Sequence, residues 1–314
     1  MAHDMHAVAD FVADALDVDR TETSNLLEQA PLVSRMTISD TSDGSSTHKH
    51  NTYTGAPTGF WRAVNTPRDY DSSIDTVVSA TCTILDFSWK TDKALADSWR
   101  DGTQAYIARE GMRHLRAAMF DLEQQIIYGV TSPGDAAGFV GLLASTYLDA
   151  LADDMVINAG GTTASTQSSV YGLRLGFDDV RLVSPALALD VGDTVVTEAT
   201  LDGSTGGFPV YYTPSSAYIG LQLGGSFSAG RIANLHASDS GAGLDDDLVS
   251  DMISQFPANM GPDVLVMHRQ SLKQLQQSRT ATNTTGAPAP FPVESHGVPI
   301  VVTDAISITE AVEV

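Results

Sequence analysis

The stretch from Ala94 to Tyr128 constrains the fold of this chain more than any other. Leu95, Trp99, Gly102, Tyr106, Leu115, Ala118, Met119, Leu122 and Ile126 recur mostly at spacings of three, four and seven, which places them on one stripe of a helix. Arg100, Arg109, Arg113, Arg116, Glu110 and Glu123 fall largely between them. Asp92 can accept from the orphan amides at the start, and Gly129 can supply the left-handed residue that ends the helix. At ~1.5 Å per residue such a helix is ~50 Å long, more than the width of a compact small domain. It predicts a spine that organises an extended, flat subunit. A long helix crossing an ordinary α+β enzyme fits this stretch equally well. Gly102 and Gly111 each cost roughly 1 kcal/mol against alanine inside a helix, so close packing or a bend is expected there.

The charge balance narrows the function. The chain carries 39 acids against 17 bases, a net charge of −22, with only four lysines. A surface that binds nucleic acid over the whole molecule is excluded by that balance. Self-repulsion keeps such a protein soluble, and a high-salt habitat or an acidic compositional bias would each explain it. The bases concentrate on the spine, as Arg100, Arg109, Arg113, His114 and Arg116. There they could contact phosphates, or pair with Glu110, Glu123 and Asp121 at helical spacing. No apolar run approaches the ~20 residues of a membrane helix, so no membrane partner is expected. Met1 to Asp14 carries acids and histidines rather than a basic leader, so no secretory signal is expected. Cys82 is the single cysteine; it excludes an intramolecular disulfide and reads as a small buried hydrophobe.

Residues 1–30 read as a detached helical arm with a short apolar stripe of Val8, Phe11, Val12, Ala15 and Leu16, and a further turn at Asn25 to Gln29. Residues 37–59 are polar, without period, and read as a loop or linker. Residues 60–87 hold extended Thr- and Val-rich segments, a two-stranded excursion with little core of its own that needs something to lie on. After the spine, Val170 to Leu175 and Val180 to Val183 read as a hairpin around 176–179. Ala217 to Leu223 and Phe227 to Ile232 read the same way around Gly224-Gly225. A helix is predicted over Leu244 to Gln255, a buried strand over Val264 to Met267, a short helix over Ser271 to Ser278 and a final strand over 297–302. Thr280 to Pro292 reads as a loop.

Catalytic signatures are missing. There is no phosphate-binding G-x-x-x-x-G-K-[ST], no G-x-G-x-x-G after a strand and no H-E-x-x-H. Gly224-Gly225-Ser226-Phe227-Ser228 resembles a nucleophile elbow only by composition, because its context is strand–turn–strand. His48-Lys49-His50 could ligate a metal but reads better as solvated side chains of a mobile loop. Asp245-Asp246-Asp247 could take a hard cation, yet helix-start acids need no such explanation. No catalytic residue, cofactor or metal is predicted, and the chain reads as a non-enzyme.

The order of parts then carries a resemblance. An arm, a ribbon, a spine helix, a turn-rich β region and a helix–strand–helix–loop–strand ending resemble the major capsid proteins of tailed bacteriophages, which have the Hong Kong-type shell fold. Asn25-Leu26-Leu27-Glu28-Gln29-Ala30-Pro31-Leu32 resembles that family's arm, and Gly59-Phe60-Trp61-Arg62-Ala63-Val64-Asn65 the start of its extended loop. Asp92-Lys93-Ala94-Leu95-Ala96-Asp97 precedes the spine and Glu123-Gln124-Gln125-Ile126-Ile127-Tyr128-Gly129 ends it in the family's manner. Phe139-Val140-Gly141-Leu142, Ser169-Val170-Tyr171-Gly172-Leu173-Arg174 and Arg231-Ile232-Ala233-Asn234 resemble its later segments. So do Gly297-Val298-Pro299-Ile300, Thr303-Asp304-Ala305-Ile306 and Thr309-Glu310-Ala311 at the end.

The resemblance implies an α+β flat capsid subunit with an N-terminal arm (1–50), an extended hairpin loop (51–90) and a peripheral domain with the spine and strands (91–240). A central axial domain (241–305) and a returning terminal strand (306–314) complete it. It implies a virion protein that forms hexamers and pentamers of an icosahedral shell around double-stranded DNA, with scaffolding, portal and decoration proteins as further partners. Val8, Phe11, Val12, Leu16, Phe60 and Trp61 would form the assembly interface. Leu95, Trp99, Tyr106, Leu115, Met119, Leu122 and Ile126 would form the spine core. Arg100, Arg109, Arg113 and Arg116 would face DNA by weak non-specific contact. Some members cross-link through a lysine in the extended loop; residues 51–89 contain none, so that chemistry is not expected. A cellular nanocompartment shell of the same fold is the alternative within the fold. A salt-adapted β-rich carbohydrate-binding or hydrolytic protein is the alternative outside it.

Overall fold

The spine breaks at Gly102. In a computed structural model of the chain, which describes residues 6–7, 29–67, 70–186, 189–200, 206–237, 241–281 and 287–313, the expected single helix is two. A short α1 (Lys93–Asp97) precedes a 26-residue α2 (Thr103–Tyr128). Gly102 adopts φ 94°, a backbone region that side chains disfavour, and turns the chain between them. The break takes Leu95 out of the stripe: it sits on α1 and is 52% exposed. Trp99 lies in the connection, half-buried, with its ring edge-on to Tyr106 at 5.4 Å. Tyr106, Leu115, Met119, Leu122 and Ile126 are buried along α2.

Both ends of this pair close as the sequence predicts. Asp92 Oδ1 accepts from the Ala94 amide at 2.8 Å. Gly129 has φ 58°, and a Cβ there would stand 2.0 Å from the Gly141 nitrogen. That close approach lets the return segment satisfy the helix end. The Gln125 carbonyl takes the Gly129 amide, Ile126 takes Leu142, Ile127 takes Leu143 and Tyr128 takes Thr131, at 2.8 to 3.1 Å.

The first group of strands is β1 (His6–Ala7), β2 (Thr37–Asp40), β3 (Thr47–Gly55), β4 (Ile74–Thr81), β5 (Thr83–Asp86) and β6 (Trp89–Asp92). After α2 come β7 (Val156–Asn158), β8 (Gln167–Leu173), β9 (Arg181–Ser184), β10 (Leu189–Val191), β11 (Val195–Thr200), β12 (Gly207–Thr213), β13 (Ser215–Gln222) and β14 (Ala229–His236). The chain ends with α3 (Asp246–Gln255), β15 (Val264–Met267), α4 (Arg269–Ala281), β16 (Glu294–Ser295) and β17 (Val298–Val302). One sheet runs β1-β2-β9-β13-β10 with β5 also on β13; another runs β16-β17-β15-β8-β14-β7. A third is β11-β12-β6, and β3 pairs with β4 alone.

Two expected hairpins are crossovers instead. β8 and β9 belong to different sheets, and so do β13 and β14. The pairs that form are β8 with β14 and β9 with β13, both antiparallel. The two connections pack on each other: the Gly224 amide donates to the Asp179 carbonyl, and a Cβ on Gly224 would stand 1.7 Å from the Asp178 carbonyl oxygen. Glycine marks a turn in both cases, and local turn chemistry does not distinguish a hairpin from a crossover. Residues 37–59, expected as a loop, contain all of β2 and β3; pairing with β9 and β4 supplies the order that a polar, aperiodic segment lacks.

One apolar core joins these parts: Val33 and Ile38 at the root of the arm, Leu122 of the spine, Leu182 of the first sheet, and Val170 and Leu265 of the second. β8 is buried at all seven residues, as a strand flanked on both sides must be. The two helices after β14 follow the sequence closely. Asp245 caps α3, its Oδ1 accepting from the Leu248 amide at 2.9 Å. α4 runs longer than expected, from 269 to 281, so the loop begins later. The arm stripe Val8, Phe11, Val12 and Leu16 lies outside the described residues; the backbone of His6–Ala7 pairs with Thr37 and Ile38.

Candidate assembly surfaces

The β3–β4 ribbon has two strands and no core. Its register runs antiparallel from Thr47 opposite Thr81 to Gly55 opposite Ile74. In the connection between them, Phe60 is 53% exposed and Trp61 fully so, and Val64 and Tyr70 stand almost as free. Ile74 and Val77 on β4 are exposed too. Within the tip, the Thr58 amide donates to Asp71 Oδ2 at 2.9 Å, and Arg62 Nη1 donates to the Thr66 carbonyl at 3.2 Å. Large apolar side chains left in water in this number make the ribbon a candidate interface.

The root of the ribbon is polar and packed. His48 is buried rather than solvated, which corrects the loop reading of His48-Lys49-His50. Its Nδ1 accepts from the Ser42 amide at 3.1 Å, and its Nε2 lies 2.8 Å from Gln222 Oε1. His50 Nε2 lies 3.0 Å from the Leu223 carbonyl, and the two imidazoles stack at 5.8 Å. Arg181, 2% exposed, donates from Nε to the same Gln222 oxygen at 2.9 Å and lays its guanidinium over the Phe177 ring at 3.8 Å. Among the described residues no three His, Cys, Asp or Glu side chains gather to hold a metal. Cys82 sits beside this root, 4% exposed, and burial pushes its thiol up to about 11.

The root of the arm is fixed by a residue the sequence places differently. Glu123, expected among the charges between the stripe, is fully buried. Its Oε2 accepts from the Leu32 and Val33 amides at 2.9 and 3.1 Å, at the start of the 3-10 turn Val33–Arg35. Burial raises its carboxyl to about 7, against the opposing pull of hydrogen bonds from Thr303, Val33 and Leu32. The returning terminal segment is fastened by a second buried network. Tyr128 and Ser169 hydroxyls donate to the two oxygens of Glu310, both at 2.6 Å, and Arg231 Nη1 donates to Glu313 Oε2 at 3.0 Å. Burial raises the Glu310 carboxyl, against Ser169, Tyr128 and Arg231. Helical and strand periodicity carry no signal for either network, because each joins residues far apart in the chain.

The spine arginines split. Arg113 donates to Glu110 at 2.8 Å, and Arg109 bridges Glu110 at 3.3 Å while its guanidinium covers the Trp99 ring at 4.0 Å. Arg116 is exposed on α2, and Arg100, expected on the spine, is exposed in the connection before Gly102 with its Nε 3.7 Å from Asp101 Oδ1. The pairing expected with Glu123 does not occur, since that carboxylate faces the arm root. No helix among the described residues is long and apolar enough to cross a membrane.

Comparison with known proteins joins these surfaces to a family. No curated protein sequence matches the chain significantly. A protein in the structure of bacteriophage Epsilon15 superposes with a TM-score of 0.64 at 21% identity, covering 88% of this chain and 87% of that one. The bacteriophage JBD30 capsid matches at a TM-score of 0.47 and 9% identity, covering 83% and 86%. The SrpI encapsulin of Synechococcus elongatus matches at 0.44 and 10%, covering 68% and 90%. The fold expected from the sequence resemblance is thus the fold found, and the family model described as major capsid protein GP7 matches residues 21–314. The chain belongs to the major capsid protein GP7 family.

Proposed function

We propose that this major capsid protein assembles as hexamers and pentamers into an icosahedral shell around the double-stranded DNA of a tailed virus. The observation that carries the reading is the ribbon whose apolar side chains, Phe60 and Trp61 foremost, lie outside the subunit's own core. Each is removed from water only against another subunit, at about 25 cal/mol per Å² of apolar surface, and a ring multiplies every such contact. The arm residues Val8, Phe11, Val12 and Leu16 serve the same interface. Residues 1–50 act as the arm, 51–90 as the extended loop, 91–240 as the peripheral domain, 241–305 as the axial domain and 306–314 as the returning strand. Arg100, Arg109, Arg113 and Arg116 offer the packaged DNA a weak non-specific contact. Scaffolding, portal and decoration proteins complete the particle, and a salt-rich host explains the acidity.

Electron microscopy of the purified full chain tests this. Closed particles built of rings of six and five are expected; a monomer with glycan affinity would overturn the reading. DNA inside native particles distinguishes a virus from a nanocompartment. Removing residues 1–28, which spares the buried Ala30, leaves folded subunits that close poorly. Across a salt series, assembly strengthens as the Debye length falls from ~10 Å at 0.1 M to ~3 Å at 1 M. Particles that form only at low salt would mean that nucleic acid holds the shell.

A further inference from the structure

We infer that His50 is an acid-sensitive pin: neutral, it fastens the root of the β3–β4 ribbon to the Leu223–Gly224 connection, and its protonation lets the root open. The inference concerns the ribbon's own attachment and holds whether or not its tip docks on a neighbour.

Three observations carry it. His50 Nε2 donates to the Leu223 carbonyl at 3.0 Å, and two residues on, the Thr52 hydroxyl donates to the Gly224 carbonyl at 2.9 Å. These two bonds tie one face of β3 to the crossover between the main sheets. The second ring nitrogen, Nδ1, is buried and has no hydrogen-bond partner. That is tolerable for the lone pair of a neutral imidazole, whereas a proton there would be a buried donor without an acceptor. Thirdly, the positive charge would arise in the wrong company. The His48 ring stacks on His50, and the buried Arg181 guanidinium lies behind it, with Nη2 3.4 Å from His48 Nε2.

The charged groups around the root are few. Arg181 comes from β9, His48 and Lys49 from β3 itself, and Asp40 of β2 and Asp178 of the 176–179 connection act on Arg181. Directly across the ribbon, His50 faces Val78, which carries no charge. Burial first, and Arg181 next, hold His50 below its ordinary value of 6.5, with the Leu223 carbonyl opposing. The unfolded or opened chain therefore takes up the proton more readily than the closed one. The contribution to closure is complete above about 6.5 and is lost as pH falls below it toward the folded value.

Cys82 is a built-in reporter. It is the single cysteine, it is buried, and its amide donates to the Ser46 carbonyl at 2.7 Å, between the two ribbon strands at their base. Opening the root exposes it. The full chain is treated with 4,4′-dithiodipyridine, which reacts with thiols in mild acid, and each rate is divided by that of the urea-unfolded chain at the same pH. Protection of Cys82 is expected to be constant above pH 7 and to fall severalfold as pH drops below 6.5. In His50→Gln, whose amide keeps the bond to the Leu223 carbonyl, protection is expected to stay flat. Val78→Glu places a carboxylate opposite His50, which raises the folded value toward that of the opened chain and so shrinks the fall, a reading that survives if the first variant does not fold. Flat protection in the parent chain overturns the inference. So does an undiminished fall in Val78→Glu, or a fall that His48→Gln abolishes and His50→Gln does not.

Discussion

The spine helix and the β3–β4 ribbon carry similar apolar side chains and bury them differently. Leu115, Met119, Leu122 and Ile126 on α2 are at most 3% exposed within one subunit. Phe60, Trp61, Val64 and Tyr70 on the ribbon connection are between 53% and 102% exposed. On α2 the helical period gathers the apolar groups into one stripe, and the sheets on that side cover it. On the ribbon two strands cannot cover themselves, so the same chemistry is left outward. Burial within a chain stabilises the subunit, whereas burial between chains stabilises the assembly. Substitutions in the two regions therefore have different readouts.

The sharpest test of the difference is Leu122→Asp. An unpaired charge in the continuous core costs several kcal/mol, and loss of soluble folded subunit is expected. A well-expressed variant with the parent circular dichroism would break the comparison. Gly129→Ala should follow. Its φ of 58° and the 2.0 Å approach of Gly141 leave no place for a methyl, so the return segment must shift away from the helix carbonyls. A loss of about 2 kcal/mol or more in urea unfolding is expected.

Glu123→Gln tests the polar exception inside the buried region. The folded carboxyl stands at about 7 against an ordinary 4.5, so the native state holds the proton more tightly than the unfolded chain. Its favourable contribution is therefore complete below about 4.5 and is lost as pH rises to about 7. The shift corresponds to roughly 3 kcal/mol at alkaline pH. Glutamine keeps an oxygen for the Leu32 and Val33 amides without the charge, so the variant should gain stability at pH 8 and little at pH 4.5. Denaturant midpoints at the two pH values decide it; a loss at pH 8 would mean the ionised carboxylate is well satisfied where it lies.

Trp61→Asp should have the smallest effect on the subunit, within ~0.5 kcal/mol, because the indole touches nothing to lose. Particle yield by light scattering should nevertheless fall by tenfold or more. A stable variant that assembles normally would mean that Trp61 is not an interface residue.

Much of this architecture follows from local chemistry that the sequence carries by itself. The α2 stripe, the Asp92 and Asp245 caps and the Gly129 terminus all depend on residues within a few positions of one another, so the sequence determines them. The order of parts is legible too, and it carries the capsid resemblance. The tertiary structure decided what depends on distant neighbours. It broke the spine at Gly102 and so left Leu95 exposed. It turned two expected hairpins into crossovers, because the packing of Gly224 against Asp178 selects partners that turn residues do not specify. It gave 37–55 its strands by pairing them with β9 and β4. It also buried Glu123, His48, Arg181 and Arg231, residues whose type predicts solvent. A charged side chain leaves water only when distant groups supply its hydrogen bonds, and one-dimensional spacing does not encode those groups.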